Sequence, residues 1–254
     1  MKIKVLGGHG GLVKGHLTTS FLIDDDLLID AGAVAGTLSI EDQVNIKHIL
    51  ISHCHLDHIK DLAFICDNCF GLKEKPFMVY THETVKNIIK KHLLNDVIWP
   101  DFTKLPTSEK PTITIESIKE EVRIKLGNFD IYPVKVNHAL DALGFIVEKD
   151  EVAILFTSDT GPTNRIWEVA KNLKNLKAIF TEVSFPNSLQ EVALISQHHT
   201  PHSIGLELKK MPENVPVILT HIKPNYRSEI IRQIRDLHEK RIHLIERDGE
   251  IFEF

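Results

Sequence analysis

Cysteine is scarce in this chain, with three among 254 residues, and so are tyrosine (three), methionine (three) and tryptophan (two). An odd and small cysteine count argues against a disulfide framework. The single C-x-x-C, Cys66-Asp67-Asn68-Cys69, is weak evidence of redox chemistry by itself, and a structural role is expected for it. No apolar run approaches the ~20 residues of a membrane-spanning helix. No charged stretch followed by a long apolar one follows Met1, so no signal peptide is expected, and a cytoplasmic enzyme is the simplest account. Positive charge is not in excess either: the formal net charge is −5 and the pI is near 6.3. That balance disfavours a broad electrostatic footprint on nucleic acid, without excluding a local basic patch. Lys86, Lys90 and Lys91 fall on one expected helix, where a solvated surface is the reading. Ser/Gly-rich linkers and internal repeats are also missing. With 43% hydrophobic residues, the expectation is one α/β domain spanning residues 1–254.

Histidine, by contrast, is plentiful, with 15 in all. The segment His53-Cys54-His55-Leu56-Asp57-His58 packs four metal-ligand side chains into six residues. It follows Ile46–Ser52, which reads as a buried strand. Side chains alternate along an extended chain, so His53 and His55 point the same way. A turn after Leu56 would bring Asp57 and His58 to the same mouth from the other side. Neutral imidazole and carboxylate suit Zn²⁺ at about 2.0–2.2 Å. Four ligands on so short a segment are too many for one open catalytic ion, so two neighbouring metals are expected. More ligand types then follow hydrophobic runs of strand length: His138 after 129–136, Asp159 after 152–157 and His221 after 217–220.

That order, H-x-H-x-D-H followed by His, Asp and His, resembles the metallo-β-lactamase superfamily over the whole chain. The resemblance implies an α/β fold: an αββα four-layer sandwich of two mixed sheets flanked by helices. It implies that His53, His55 and His138 hold a first metal, that Asp57, His58 and His221 hold a second, and that Asp159 bridges them. Asp30, in Leu27-Leu28-Ile29-Asp30-Ala31-Gly32, would support the ligand loop from behind. The metals would be two divalent ions, Zn²⁺ first, with Mn²⁺ or Fe²⁺ as alternatives at N/O sites of this kind. Such a pair lowers the pKa of a bridging water and stabilises charge on substrate oxygens, which implies a hydrolase. Asp57 would also orient the resulting hydroxide.

Glu182 at a strand end and His198 downstream resemble the phosphodiesterase branch, which includes tRNA 3′-processing endonucleases. There the Glu orients a His that protonates the leaving oxygen, because an alkoxide leaves poorly by itself. More narrowly, H-C-H-L-D-H-I, L-N-D-V-I-W-P-D (94–101), S-D-T-G-P (158–162), E-V-S-F-P-N (182–187), H-H-T-P-H-S (198–203) and T-H-I-K-P (220–224) together resemble class II 3′,5′-cyclic-nucleotide phosphodiesterases. The implied reaction is hydrolysis of a cyclic nucleotide (cAMP or cGMP) to the nucleoside 5′-monophosphate. Trp99 and Phe102 are candidates to stack on the base. The resemblance also favours a homodimer, although no motif marks an interface. One departure is Asp61, where the family carries a small residue; it is expected to cap a helix starting there. The alternatives are a tRNA 3′-processing endonuclease and a lactonase, lactamase or thioesterase of the same fold. The first would want a basic arm that is not seen here, and the others would not need Glu182 and His198.

Overall fold

The computed structural model describes residues 1–254. The chain opens with β1 (Lys2–Gly7), β2 (Ser20–Ile23), β3 (Leu27–Ile29), α1 (Ile40–Asn45), β4 (His48–Leu50) and α2 (Leu56–Asn68). Then come β5 (Phe77–Thr81), α3 (Glu83–His92), the short pair β6 (Pro106–Thr107) and β7 (Lys110–Pro111), and β8 (Ile113–Ser117). The second half runs β9 (Ile124–Leu126), β10 (Phe129–Lys135), β11 (Leu143–Lys149), β12 (Val152–Phe156), α4 (Arg165–Lys171) and β13 (Leu176–Glu182). It ends with α5 (Gln190–Ser196), α6 (Pro201–Glu207), β14 (Val217–Thr220), α7 (Arg227–Arg235), β15 (Ile242–Leu244) and β16 (Ile251–Glu253). No helix is long and apolar enough to cross a membrane.

Two seven-stranded mixed sheets result, in the orders β16-β1-β2-β3-β4-β5-β8 and β15-β14-β13-β12-β11-β10-β9. Strand alternation sorts side chains between layers. On β4 and just beyond it, Ile49 and Ile51 join the core under α2 and α3, while Leu50 points into the core between the sheets. On β12, Ile154 and Phe156 face that middle core, and Leu155 faces the core under α4, α6 and α7. Phe21, Phe156 and Phe180 meet in the middle layer, the last two stacked at 4.8 Å. Full burial of a ring of this size stabilises by about 1.5–3 kcal/mol. The expected αββα sandwich is the observed one.

Strand direction gathers the chemistry at one rim. β12, β13 and β14 are mutually parallel, and β10 runs the same way, since both it and β12 pair antiparallel with β11. Residues that follow their C-terminal ends therefore share one edge, where open α/β sheets bind ligands. In the other sheet β3, β4 and β5 are parallel and deliver the 53–58 segment.

Local structure departs from expectation in a few places. No turn separates Leu56 from His58, because α2 starts at Leu56. Asp61 is thus one turn inside α2 and caps nothing. Its carboxylate accepts the Ala35 N–H at 2.8 Å and the Lys60 ammonium at 2.7 Å. The reason is tertiary: the Ala31 N–H bonds the His58 carbonyl, and the Asp61 N–H bonds the Ala31 carbonyl, which pins this first turn against the end of β3.

Candidate metal centre

His53, His55, His138, Asp159 and His221 follow strand ends, Asp57 and His58 stand in the first turn of α2, and these seven side chains converge. His53 Nε2 lies 3.0 Å from His55 Nδ1, which lies 3.2 Å from His138 Nε2. Ligands at about 2.0–2.1 Å around a tetrahedral ion lie roughly 3.3 Å apart, so these three nitrogens are spaced for one cation. Asp159 Oδ2 is 3.7 Å from His53 Nε2, 3.4 Å from His58 Nε2 and 3.2 Å from His221 Nε2. It therefore stands between two sets: His53, His55 and His138 on one side, Asp57, His58 and His221 on the other. Asp57 Oδ2 is 3.3 Å from His221 Nε2 and 3.8 Å from His58 Nε2.

Hydrogen bonding behind the cluster assigns the tautomers. Asp30, in the left-handed region at φ 56°, accepts the His58 Nδ1–H at 2.7 Å and the Ser52 N–H and hydroxyl at 2.8 Å each. The Ser52 oxygen in turn accepts the His53 Nδ1–H at 3.0 Å. His138 donates its Nδ1–H to the Gln197 carbonyl at 3.2 Å, and His221 donates its own to Ser184 Oγ at 2.9 Å. In the neutral form of each of these four rings Nε2 is left as a lone pair facing the cluster. His58 Nε2 is fully buried with no hydrogen-bond partner. Buried nitrogens held as lone pairs and facing one another fit a cation between them. The donor set, imidazole and carboxylate without thiolate, fits zinc, manganese or iron.

Burial and charge pull the ionisations apart. Burial, reinforced by His58, holds the His53 imidazole well below its usual pKa. Burial alone would raise Asp159, but the imidazoles of His221, His58 and His53 outweigh it and hold the carboxyl well below the usual range. Asp57 is lowered in the same way by His221 and His58 against its own burial.

Beside the cluster stands a second buried pair. The His198 Nδ1–H donates to Glu182 Oε1 at 2.6 Å, and the two side chains are 8% and 1% exposed. Burial would lower the His198 pKa, yet Glu182 raises it above the usual value. Glu182 itself is lowered, since His198 outweighs burial. The His198 ring stacks on His221, with centroids 5.4 Å apart and planes 12° apart, and a ring nitrogen of His198 comes within 4.8 Å of the Asp159 and His221 ligand atoms. Ser158, Gln197 and His221 also take left-handed backbone conformations, a form of strain that concentrates at functional sites. Gly10 is required here, because a Cβ at that position would lie 2.6 Å from the His221 carbonyl oxygen.

A family profile described as "Beta-lactamase superfamily domain" matches residues 27–243. The chain belongs to the metallo-β-lactamase superfamily. It is a hydrolase of the metallo-β-lactamase fold. Among similar members, a probable 3′,5′-cyclic-nucleotide phosphodiesterase of Yersinia pestis is 25% identical, over 89% of this chain and 79% of that protein. A ribonuclease Z of Methanococcus maripaludis is 24% identical, over 89% of each. The crystal structure of unliganded yeast PDE1 superposes with a TM-score of 0.84 at 21% identity, over 98% of each chain.

Two residues named from the sequence are not brought to the cluster of this metallo-β-lactamase-fold chain. Phe102 is 3% exposed, with its ring against Phe70 inside the core under α2 and α3. Trp99 is half-buried and lies edge-on to Phe64 at 5.3 Å. Ser52, Gln197 and Ser184 contribute without having been singled out. For Ser184 a signal existed: two residues past Glu182 in an extended segment, it shares that residue's side of the chain.

Proposed function

We propose that this chain hydrolyses 3′,5′-cyclic nucleotides to nucleoside 5′-monophosphates. The observation that carries the reading is the Glu182–His198 pair at the edge of the ligand cluster. His53, His55, His138 and Asp159 would hold a first divalent cation, zinc being the best fit, and Asp57, His58, His221 and Asp159 a second. When bound, such ions supply Lewis-acid stabilisation of the phosphate oxygens and a water of lowered pKa. Asp57, with a side chain 31% exposed against 3% for Asp159, is the cluster carboxylate open to solvent, and it would orient the attacking water. His198, whose pKa Glu182 raises against burial, would when protonated give its Nε2 proton to the 3′ oxygen as the P–O3′ bond breaks. The product keeps its phosphate on the 5′ oxygen. A proton donor of this kind is what an alkoxide leaving group needs, and hydrolysis of a thioester, which expels a thiolate, has less use for it.

Leaving-group chemistry also sets the direction of the nucleoside. The ribose carries O3′, so it would lie on the His198 side. The aromatic rings there are Phe185, 5.7 Å from the His198 ring, and Tyr226, 6.4 Å from Phe185. They are better placed than Trp99 to meet the base.

The test is product analysis. Metal-loaded protein is incubated with 3′,5′-cyclic AMP or cyclic GMP and the nucleotides are separated by chromatography. Formation of the 5′-monophosphate, abolished by Asp159→Ala, is the expected outcome. No turnover with metal in the site would sink the reading. Cleavage of a precursor tRNA at its 3′ end would move it to the ribonuclease Z activity named for the Methanococcus maripaludis relative.

A further inference from the structure

We propose that Ser184 is a positioning residue that fixes the ring of His221 and ties the second cation site to the Glu182–His198 pair. Its side chain is fully buried. Its oxygen lies 2.9 Å from His221 Nδ1, 2.8 Å from Glu182 Oε2 and 3.2 Å from His198 Nδ1. A serine hydroxyl has one proton to give. The His198 Nδ1–H is already committed to Glu182 Oε1 at 2.6 Å. The Ser184 proton goes to the Glu182 carboxylate, and its lone pair receives the His221 Nδ1–H. With a cation bound beside Asp57 and Asp159, that assignment would hold His221 in the tautomer whose Nε2 lone pair faces the ion.

The same wiring occurs on the opposite side of the cluster. There the Ser52 hydroxyl donates to the Asp30 carboxylate at 2.8 Å and accepts the His53 Nδ1–H at 3.0 Å. Each half of the fold thus carries one His–Ser–carboxylate chain behind its ligands. The two chains end differently. Asp30 also receives His58, another ligand, whereas Glu182 also receives His198, which is no part of either ligand set. Ser184 is therefore the link between cation binding and the proton donor.

Counting bonds shows where its loss is felt. Glu182 has four donors: His198 Nδ1–H and the Thr160 N–H on Oε1, Ser184 and the His199 N–H on Oε2. Without Ser184 it keeps three. The His221 Nδ1–H has Ser184 as its acceptor and would be left with none. Removing the hydroxyl should loosen His221 while leaving the acid pair in place.

The inference rests on the reading that the cluster binds two cations, and it does not depend on which diester is cleaved. The experiment is zinc binding by chelator competition on the full chain and on Ser184→Ala, Ser184→Cys, Ser184→Thr and His221→Ala. Wild type is expected to bind two ions and His221→Ala to lose the second. Ser184→Ala should bind the first ion as wild type does and the second about 10–100-fold more weakly, the usual cost of losing such an outer partner. The nearly isosteric Ser184→Cys, with its weak acceptor, should follow Ala, and Ser184→Thr, which keeps the hydroxyl, should follow wild type. In zinc-loaded wild type, nitrogen-15 NMR should find the His221 proton on Nδ1. Wild-type affinity at both sites in Ser184→Ala, equal weakening at both, or the proton on Nε2 would each overturn the proposal. Unchanged binding of both ions in His221→Ala would instead remove the two-cation reading beneath it.

Discussion

Glu182 Oε1 accepts the His198 Nδ1–H at 2.6 Å across 16 residues of sequence, in a place where water barely reaches either side chain. Low dielectric makes such a charged hydrogen bond strong, and the Glu182 charge raises the pKa of the ring against its burial. The demand for its proton depends on the leaving group. We expect His198→Ala and Glu182→Gln to lower kcat for a cyclic nucleotide by about 10²–10⁴-fold. Turnover of bis(p-nitrophenyl) phosphate, whose phenolate leaves unaided, should fall far less in the same variants. Equal losses on both substrates in steady-state assays would remove His198 as the proton donor.

Asp30 gathers three donors that lock Ser52, His53 and His58. Asp30→Ala leaves the buried His58 Nδ1–H without an acceptor, at a cost of about 1–3 kcal/mol. The expected results are a lower Tm of the metal-free protein and weaker zinc at both sites, each read directly by calorimetry. A Tm within error of wild type would contradict the assigned hydrogen bonds.

Asp24 ties the two sheets together through Lys149 at 2.7 Å and also accepts the Lys2 N–H of its own sheet at 2.8 Å. Burial alone would raise its pKa, but Lys149 and the Lys2 amide outweigh it and hold the carboxyl below the usual range. A depressed carboxyl stabilises the fold above its unfolded pKa and loses that contribution as pH falls through the folded value. Asp24→Asn should therefore cost about 0.2–1 kcal/mol at pH 7, and the difference should shrink as pH falls toward about 2. Urea unfolding at the two pH values measures it. A deficit that persists at low pH would mean the carboxylate charge is not its source.

Tyr226 and Trp99 are competing places for the base. Loss of one stacked ring costs about 1–3 kcal/mol, so Tyr226→Ala should raise KM for the cyclic nucleotide by about 5–150-fold. Trp99→Ala should leave it near wild type. The reverse pattern in initial-rate measurements would return the base to Trp99.

The ligand-type residues that converge, and their order, were legible in the chain because the 53–58 segment, His138, Asp159 and His221 each follow a short hydrophobic run, and strand ends are written locally. His53 and His55 were legible as neighbours because alternation along extended backbone is a local rule. The role proposed for Glu182 and His198 rests on resemblance rather than spacing. The start of α2 was not legible: a polar His/Asp-rich stretch looks like a turn until Ala31, far upstream, bonds its backbone. Phe102 was misplaced for the same kind of reason, since an aromatic ring reads alike whether it faces a ligand or, as here, Phe70 and the core.

Residue types, their order and their strand-end positions thus belong to the amino-acid sequence, which carries hydrophobic periodicity and ligand chemistry within a few residues. Tautomers, the Asp30 and Ser184 relays and the pairing of β1 with β16 belong to the folded chain. His55 meets His138 across 83 residues, and the Met1 amine meets the Phe254 carbonyl across 253. Which lone pair faces which proton is set by such long-range contacts, and no local pattern encodes them.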